Sequence, residues 1–368
     1  MQSLITVFRE VRDPRDGNAR HDLTAMLFIA LAATLCGAKT CVDIADFAAA
    51  NEGELSQIVD LPHGAPSHDS FSRLFRLLDP EEMTAAFARF QTALRAELGL
   101  PPAKGVVAVD GKSLRRGYER GRAFMPPLMI SVWDAETRLS LASRHAPGGD
   151  EVAATLAALK AVTLKGCIVT ADALHCHPRM AKQVRAQGGH YALALKANHG
   201  PLFACALRAF AAADEKGELA FHEQVESGHD RHERRRASVI AAPSDAPALP
   251  GLAALGRIET ERRRLGDGKP GSNVHYVALS KRLSPKRMLE VKRTHWSVEN
   301  NLHWPLDVVF HEDDARTRKD HGPQNLAVIR RQALDILRAH PDTRSAARKM
   351  KLAAWNKDFF YELFAHMR

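Results

Sequence analysis

The chain has 368 residues, of which 45% are hydrophobic and 26% are charged, a composition typical of a globular protein with room for two or three domains. Its five cysteines form no CxxC pair, which excludes a regular disulfide framework and favours free thiols in a reducing cytoplasm. The net charge of +9 is carried by residues 226–368, which hold 27 Lys and Arg against 18 Asp and Glu, whereas residues 1–225 hold 25 of each. A basic C-terminal part is typical of proteins that bind a polyanion, although a solubilising surface gives the same charge.

Residues 1–98 are predicted to form an all-helical N-terminal domain, because apolar residues recur there at helical spacing. The apolar segment 23–36 is too short to span a bilayer and has no cleavage-site pattern, so we expect a buried helix and no membrane segment. Ser67 is a predicted N-cap of a later helix, which suits core packing and a helix-turn-helix element equally well. Residues 1–100 hold 9 basic and 14 acidic residues, which does not favour this domain as the main site for a polyanion.

After Pro102 the pattern changes to alternating strands and helices, which predicts an α/β domain over residues 103–340 with a mixed sheet flanked by helices. Strands are expected at 105–110, 126–134, 137–144, 166–171 and 190–196, and helices at 150–161, 176–187 and 201–213. Residues 217–283 contain short strand-like runs at 221–225, 237–241, 256–264 and 274–280, so we interpret them as a β-rich insertion. Residues 341–368 are predicted to form a basic C-terminal helical tail.

Three acidic residues together predict a two-metal phosphoryl-transfer site. Asp110 ends an apolar run that is typical of a buried strand stopped by Gly111, and Asp172 ends a second such run. Glu299 lies in a stretch with helical periodicity. Two carboxylates on neighbouring strands and one on a packed helix can hold two divalent ions about 3.5–4 Å apart. Hard oxygen ligands of this kind suit Mg²⁺ or Mn²⁺.

Other interpretations of Asp110 and of further motifs in the chain are weaker. Asp110 alone would be assigned to turn chemistry, because Asp beside Gly often ends a strand, so the prediction depends on the combination. His175 and His177 flank Cys176 without a second ligand pair at zinc-like spacing, and we reject a zinc site there. The segment 229–236 is interpreted as a basic segment that faces DNA or solvent, rather than as a metal site. The sequence has no phosphate-binding glycine-rich loop, so we expect no nucleotide cofactor.

Further motifs extend along almost the whole chain. In the N-terminal part they are Phe8–Arg15, Arg20–His21, Leu35–Ala38 and Pro66–Phe71. In the middle they are Val109–Arg115, Asp172–Ala173 and Ala192–Asn198. Near the C-terminus they are His295–Trp296, Glu299–Asn300, Leu302–Trp304, Leu306–Val308, Glu312–Asp313 and Asn325–Ala327. With these motifs in this order, the sequence resembles the DDE transposases of bacterial insertion sequences, and most closely their H-repeat-associated (ISAs-type) group.

The resemblance implies a ribonuclease-H-like core that cleaves and joins DNA, with Asp110, Asp172 and Glu299 as the metal-binding triad for two Mg²⁺ or Mn²⁺ ions. It also implies transposon ends and target DNA as partners, a homodimer on DNA, no membrane partner, and a cytoplasmic protein that joins the nucleoid when bound to DNA. The insertion contacts the transposon end in related enzymes. Two other functions stay open, a nuclease that does not join strands and a decayed or repurposed protein that binds DNA without chemistry.

Several basic residues are candidate DNA contacts. Five of them follow Asp110, namely Lys112, Arg115, Arg116, Arg120 and Arg122, and cations beside metal-binding carboxylates suit phosphate oxygens. Lys112 and Arg115 belong to a matched motif and are the better candidates, although a solvated loop would explain some of the five. Lys196 ends a predicted strand, where a lysine is otherwise a solvated edge charge. Arg293 and His295 precede Glu299. In the broader insertion-sequence family the helix carries Tyr, Arg and Lys around this glutamate, whereas here His295 stands four residues before it, with Lys292 and Arg293 just earlier.

The neighbours of Glu299 are given structural roles. Glu299 itself is expected to be partly buried among aromatic and apolar residues, with Pro305 ending or kinking its helix. Trp296 and Trp304 are assigned to core packing, although one of them would be able to stack on an unpaired base. Asp307, Glu312, Asp313 and Asp314 are expected to pair with Arg316 and Arg318.

Overall fold

The structure is a computed structural model that describes residues 2–118, 125–217, 219–228, 231–264 and 270–365. Its N-terminal part is helical, as predicted. The helices are α1 (Gln2–Arg9), α2 (Leu23–Leu35), α3 (Cys41–Ala50), α4 (Glu52–Leu55), α5 (His68–Leu77) and α6 (Pro80–Glu97). Ser67 caps α5 as expected, because its hydroxyl accepts a hydrogen bond from the Ser70 amide at 3.3 Å.

Helix α2 lies at the centre of the N-terminal helices. All of its residues except Thr24 are buried, because its sequence is apolar on every face. Asp22 caps its N-terminus by accepting the Ala25 amide at 2.8 Å. The expectation of a buried helix is therefore confirmed. Within the described residues, no helix combines the length and the apolar character that crossing a bilayer requires.

A mixed sheet follows the N-terminal helices. Its first five strands are β1 (Val106–Ser113), β2 (Leu128–Asp134), β3 (Leu139–Ala146), β4 (Ile168–Ala171) and β5 (His190–Leu195), with α7 (Glu151–Lys160), α8 (Pro178–Ala186) and α9 (Gly200–Glu215) between and after them. They lie in the order β3-β2-β1-β4-β5, with β1 antiparallel to β2 and parallel to β4. Three antiparallel strands followed by two parallel ones give the predicted ribonuclease-H-like fold.

The two faces of the sheet have different partners, and this alternation positions the site. Val107 and Val109 point into the apolar cluster that contains α7, α8 and α9. Val106 and Ala108 point to the opposite face, because successive side chains alternate along a strand. Asp110 continues the second set. It therefore faces the side on which the later helices pack.

The predicted insertion consists of strands that extend the same sheet. These are β6 (Phe221–Gly228), β7 (Arg231–Ala241), β8 (Ala254–Arg264) and β9 (Pro270–Leu279). Strand β9 pairs antiparallel with β5, and β8, β7 and β6 follow it outward to give nine strands in one sheet. Strand β7 begins at Arg231, so it also takes up most of the basic segment that the sequence assigned to an exposed stretch.

The remaining helices of the described chain follow the sheet, and some of them pack against the N-terminal helices. They are α10 (Pro285–His295), a π-helical turn (Glu299–His303), α11 (Trp304–Val308), α12 (Gly322–Ala339), α13 (Ala346–Trp355) and α14 (Lys357–Ala365). Helix α12 is buried along most of its length and shares one hydrophobic core with the N-terminal helices. The Asn325 amide donates to the carbonyl oxygens of Phe75 and Leu78, both at 2.9 Å. Through α12, the N-terminal helices pack as part of the same body as the sheet.

Candidate active site

Asp110 lies within β1. The sequence predicted that Gly111 would stop this strand, but pairing with β2 continues to Ser113, so that prediction was wrong. The glycine has a packing role instead, because a Cβ at Gly111 would lie 2.9 Å from Glu151 Oε1 and 3.3 Å from Leu128 Cδ1. The Gly111 amide donates to Asp110 Oδ1 at 3.0 Å, which fixes the carboxylate against the strand.

Asp172 follows directly after β4, the strand next to β1. The parallel register pairs Ala108 with Thr170, so two residues further along the strands Asp110 and Asp172 are level with each other. The sequence required these two strands to be neighbours without showing it, and the sheet order confirms it. Asp172 is exposed, as expected for a carboxylate at a strand end.

Glu299 lies on the π-helical turn between α10 and α11. The Trp304 amide donates to the Glu299 carbonyl oxygen, five residues back, and Pro305 follows in the first turn of α11. Proline has no amide hydrogen for the carbonyl four residues back, which accounts for the break in regular helix that the sequence predicted here. The Glu299 side chain is 56% exposed, so the expectation that it would be partly buried was wrong.

The side chains of Asp110, Glu299 and His303 meet at one point. Each offers a ligand atom, and these atoms all lie within 4.8 Å of one another. His303 Nδ1 lies 3.0 Å from Glu299 Oε2 and 3.5 Å from Asp110 Oδ2. Asp172 is not one of this closest group. It lies at the end of the adjacent strand.

The electrostatics of the site are dominated by carboxylates. Burial raises the pKa of Asp110 to about 7, and the charge of Asp172 is the next largest cause, with Glu299 and Glu151 adding to it. The Gly111 hydrogen bond opposes the shift. Carboxylates held this close together would be stabilised by a positive charge between them. The arrangement is therefore able to bind cations.

Two residues near Asp110 were not identified as site residues from the sequence. His303 is buried, and burial lowers its pKa. The sequence contained a pattern that predicts this contact, because Glu299 and His303 are four residues apart and therefore share one helical face. Glu151, the first residue of α7, lies 3.2 Å from His175 Nε2 and beside Gly111. No local sequence pattern predicts that Glu151 lies at the site, because only the tertiary packing of α7 brings it next to β1.

Lys112 is not placed to contact DNA. Its side chain is only 7% exposed, and its ammonium lies 2.7 Å from Asp307 Oδ1 and 3.0 Å from Asp313 Oδ1. The expectation of a phosphate contact therefore does not fit this residue, because its charge is already paired inside the protein.

The other cations that follow Asp110 lie nearer to solvent. Arg115 is 75% exposed and lies 3.2 Å from Asp313, and half-exposed Arg116 lies 3.5 Å from Asp314. Both remain candidates for phosphate contacts. Arg120 and Arg122 lie outside the described residues.

The expected partners of the acidic residues after Glu299 were wrong. Asp307 and Asp313 pair with Lys112 and not with Arg316 or Arg318. Glu312 is fully buried and lies 2.9 Å from Arg331 Nη1 on α12. Asp307, Glu312 and Asp313 therefore still have structural roles, but they pair with Lys112 and Arg331 instead.

The three remaining candidate contacts differ in exposure. Lys196 is exposed just after β5, at the same end of the parallel strands as Asp172. Arg293 is exposed on α10 and lies 2.6 Å from Glu226 Oε1 on β6. His295 is buried and its Nδ1 lies 3.0 Å from Thr170 Oγ1 on β4, so the expected DNA contact does not fit it. His295 instead ties α10 to the strand that ends at Asp172.

A basic cavity of about 440 Å³ lies between α10 and the outer strands. Its lining residues include Arg235, Arg262, His275, Lys292 and Arg293, together with Trp296 and Asn300. Glu233 also lines it and lies 2.8 Å from Arg235 and 2.9 Å from Arg262. Trp296 and Trp304 are each 57% exposed, so their assignment to core packing was wrong. An exposed indole in a cationic cavity next to Glu299 has the chemistry that binds nucleic-acid bases and phosphates.

Comparison with known proteins gives one family over most of the chain. The sequence profile described as "Transposase DDE domain" matches residues 101–334, and the profile described as "DDE_Tnp_1-associated" matches residues 5–91. The chain is 28% identical over 354 residues to "H repeat-associated putative transposase YhhI" of Escherichia coli (strain K12), covering 94% of this chain and 93% of that protein.

Two further proteins are similar. A protein of Xanthobacter autotrophicus, "Uncharacterized protein in dhlA 3'region", is 35% identical over 265 residues, which cover 70% of this chain and 88% of its own. Among solved structures, a piggyBac transposase synaptic complex with hairpin DNA aligns over 99% of this chain and 80% of its own, at 11% identity and a TM-score of 0.47.

Proposed function

This chain belongs to the DDE transposase family, and from that premise we propose that it binds the ends of an insertion sequence and catalyses metal-dependent cleavage and strand transfer of DNA. Asp110, Asp172 and Glu299 are the proposed catalytic residues. The observation that carries the proposal is the level placement of Asp110 and Asp172 on parallel neighbouring strands, with Glu299 brought to Asp110 from the helical side.

The donor set fits hard divalent cations. The ligand atoms are carboxylate oxygens, with His303 as a nitrogen beside them, and oxygen-rich sets favour Mg²⁺ or Mn²⁺. Mutual repulsion among these carboxylates raises the pKa of Asp110 in addition to burial, and bound cations would relieve it. Asp110, Asp172 and Glu299 would hold two ions. When bound, these ions would activate the attacking hydroxyl and stabilise the charge on the transferring phosphoryl group.

The protein's own residues orient the carboxylates. The Gly111 amide holds Asp110, His303 holds Glu299 beside it, and His295 fixes α10 against β4 next to Asp172. Burial lowers the pKa of His295 to about 4, so it is neutral at neutral pH and acts here as a hydrogen-bonding partner of Thr170. These contacts preorganise the site before DNA arrives.

Exposed cations near the carboxylates are the proposed DNA contacts. Lys196 lies at the same end of the sheet as Asp172, Arg293 and Trp296 line the cavity next to Glu299, and Arg115 and Arg116 follow β1. They would grip the backbone of the strand that is cut, and Trp296 would stack on an unpaired base. We also propose that the protein works as a homodimer on DNA in the cytoplasm, without a nucleotide cofactor.

Cleavage of a labelled duplex that carries the end of the element tests this function. Wild-type protein with Mg²⁺ should nick the strand and join it to a target duplex. Asp110→Asn, Asp172→Asn and Glu299→Gln should each abolish cleavage while DNA binding persists, and Glu215→Gln, a change of an exposed glutamate on α9, should be silent.

The results also separate the two alternative functions. Nicking without joining would identify a nuclease. Binding without nicking would identify a DNA-binding derivative. Wild-type cleavage by any one of the three site variants would remove that residue from the mechanism.

A further inference from the structure

A groove of about 750 Å³ lies where the N-terminal helices meet the segment that follows the site. Three stretches of chain line it. One wall is the start of α3 with the residues before it, the second is α5, and the third is the loop between Asp314 and α12. The lining residues are Lys39, Thr40, Cys41, Val42, His68, Asp69, Ser72, Arg76, Arg316, Thr317, Arg318 and Lys319. The site described above shares none of these residues.

The walls of the groove are held together by specific contacts. Arg76 Nε donates to Asp320 Oδ2 at 2.7 Å, which ties α5 to the loop before α12. Arg330 on α12 donates to the Lys39 carbonyl oxygen at 3.3 Å. A Cβ at Gly322 would lie 2.7 Å from Thr317 Cγ2, so the loop packs closely against the start of α12. These contacts fix the walls of the groove, which lies between the N-terminal helices and the loop before α12.

The charge of the groove is strongly positive. Five of its lining residues are Lys or Arg, and Asp69 is its only carboxylate. Arg76 is paired with Asp320, and Asp69 lies 3.3 Å from His68. Within the described part of the chain, no carboxylate lies within ion-pair distance of Lys39, Arg316, Arg318 or Lys319. The sequence predicted that Arg316 and Arg318 would neutralise the acidic residues after Glu299, but those acids pair elsewhere, which leaves these cations to the groove.

The groove is connected to the catalytic strand. Arg318 Nε donates to the Arg116 carbonyl oxygen at 3.3 Å, and Arg116 lies six residues after Asp110. Asp313, just before the loop, holds both Lys112 and Arg115 of the β1 region. Exposed cations thus continue from the end of β1 into the groove. A polyanion is the class of ligand whose charge matches this arrangement.

We propose that this groove binds the phosphate backbone of duplex DNA beside the position that is cut, so that α3 and α5 of the N-terminal part contribute to the DNA-binding surface. The inference rests on the proposed function. Unpaired Lys and Arg side chains in an open groove match the charge of a phosphate backbone, and such contacts position a duplex without reading its sequence. The net acidic composition of residues 1–100 does not oppose this role, because Lys39 of this part lies in the groove and Arg76 is neutralised by Asp320.

Charge reversal in the full-length protein tests the groove. Arg316→Glu combined with Lys319→Glu removes two exposed cations, and Arg316→Lys is the charge-conserving control. Lys160→Glu with Lys182→Glu makes the same charge change at exposed positions on α7 and α8, away from the groove. Binding to a labelled duplex of arbitrary sequence is measured by fluorescence anisotropy over a salt series. Thermal melting of each variant confirms that it is folded.

We expect the groove variant to bind at least tenfold more weakly, with a salt slope lower by about 1.8, since each lost phosphate contact removes about 0.9. The lysine control and the distant charge reversal should keep the wild-type slope. An unchanged slope in a folded groove variant, or an equal loss in the distant variant, would overturn this inference and leave the proposed function intact. Failure of the wild type to bind any duplex would overturn both.

Discussion

Lys112 and Asp307 form an ion pair of 2.7 Å that joins the strand of Asp110 to the helix that follows Glu299. Lys112 lies two residues after Asp110 and on the same face of β1, and Asp307 belongs to α11. The pair therefore links the two chain segments that bring Asp110 and Glu299 together. Asp313 takes a second contact from the same ammonium at 3.0 Å and fixes the next loop to it.

Replacing Lys112 with methionine should destabilise the protein, whereas Arg115→Met should not. Lys112 is buried, so its loss leaves Asp307 and Asp313 without their shared cation. A cost of roughly 1–3 kcal/mol in the free energy of unfolding is expected, below the value for a fully buried pair because both carboxylates are partly exposed. Denaturant unfolding measures this cost. Equal stability of the two variants would show that the Lys112 contacts do not hold the fold.

Divalent ions should stabilise the folded protein directly. Ions that bind only the folded state at a hundredfold excess over Kd add about 2.7 kcal/mol, so Mg²⁺ or Mn²⁺ should raise Tm. The increase should vanish in Asp110→Asn and persist in Glu215→Gln. Ca²⁺ should support binding with little cleavage, because its looser coordination positions the attacking group poorly. Full cleavage in the presence of EDTA would contradict the two-metal site.

His303→Ala should weaken cleavage without abolishing it. His303 Nδ1 holds Glu299 Oε2 at 3.0 Å, and residues that orient metal ligands typically contribute about 10–100-fold in metal affinity or activity. The variant should therefore need more Mg²⁺ to reach its maximum rate, which a titration of cleavage against Mg²⁺ measures. His311→Ala, a change of a histidine near Asp314, serves as the comparison. A normal Mg²⁺ requirement in His303→Ala would show that Glu299 does not need this support.

Stability should fall as pH rises through the titration of Asp335. Burial raises the pKa of this α12 carboxyl from 3.8 to about 6, while hydrogen bonds from Gln91 and Ser140 and the charge of Arg338 oppose the shift. Below about pH 4 the group is protonated in both the folded and the unfolded protein, so it costs nothing. Above pH 6 it is ionised in both, and the folded state bears a cost of about 3 kcal/mol.

The corresponding measurement compares wild type with Asp335→Asn between pH 4.5 and pH 8. The amide loses one acceptor at every pH, which is a constant cost, but it avoids the ionisation. The Tm of the variant relative to wild type should therefore improve as pH rises. Asp358→Asn, the same change at an exposed aspartate on α14, is the comparison. A parallel pair of pH curves for wild type and Asp335→Asn would rule out this linkage.

The sequence predicted the parts of the fold that depend on local pattern. Apolar runs placed β1, β4 and β5, and Ser67 marked the start of α5, because periodicity and caps are local properties. Sequence motifs selected Asp110, Asp172 and Glu299, and the sheet register then brought the two aspartates level. What local pattern missed was the environment of individual charges.

Lys112 illustrates why local sequence pattern did not predict the environment of individual charges. A lysine after a metal-binding aspartate suggests a phosphate contact, but its partners Asp307 and Asp313 lie about two hundred residues later in the chain. Gly111 suggests a strand end, but it is small because Glu151 packs over it. In each case the deciding neighbour is brought in by tertiary packing, which spacing along the chain does not record.

The continuous nine-stranded sheet determines the distance between β1, which carries Asp110, and the outer strand β6. From β1 to the outer edge at β6 there are six strand spacings, in the order β1-β4-β5-β9-β8-β7-β6, which is roughly 29 Å at about 4.8 Å each. One turn of B-form DNA rises about 34–36 Å. A duplex contacted both at the carboxylates and at the outer strands would therefore be contacted at two points somewhat less than one turn apart. Because hydrogen-bonded strands keep a fixed separation, the sheet would hold the proposed cleavage site and any DNA contact on the outer strands at a constant distance.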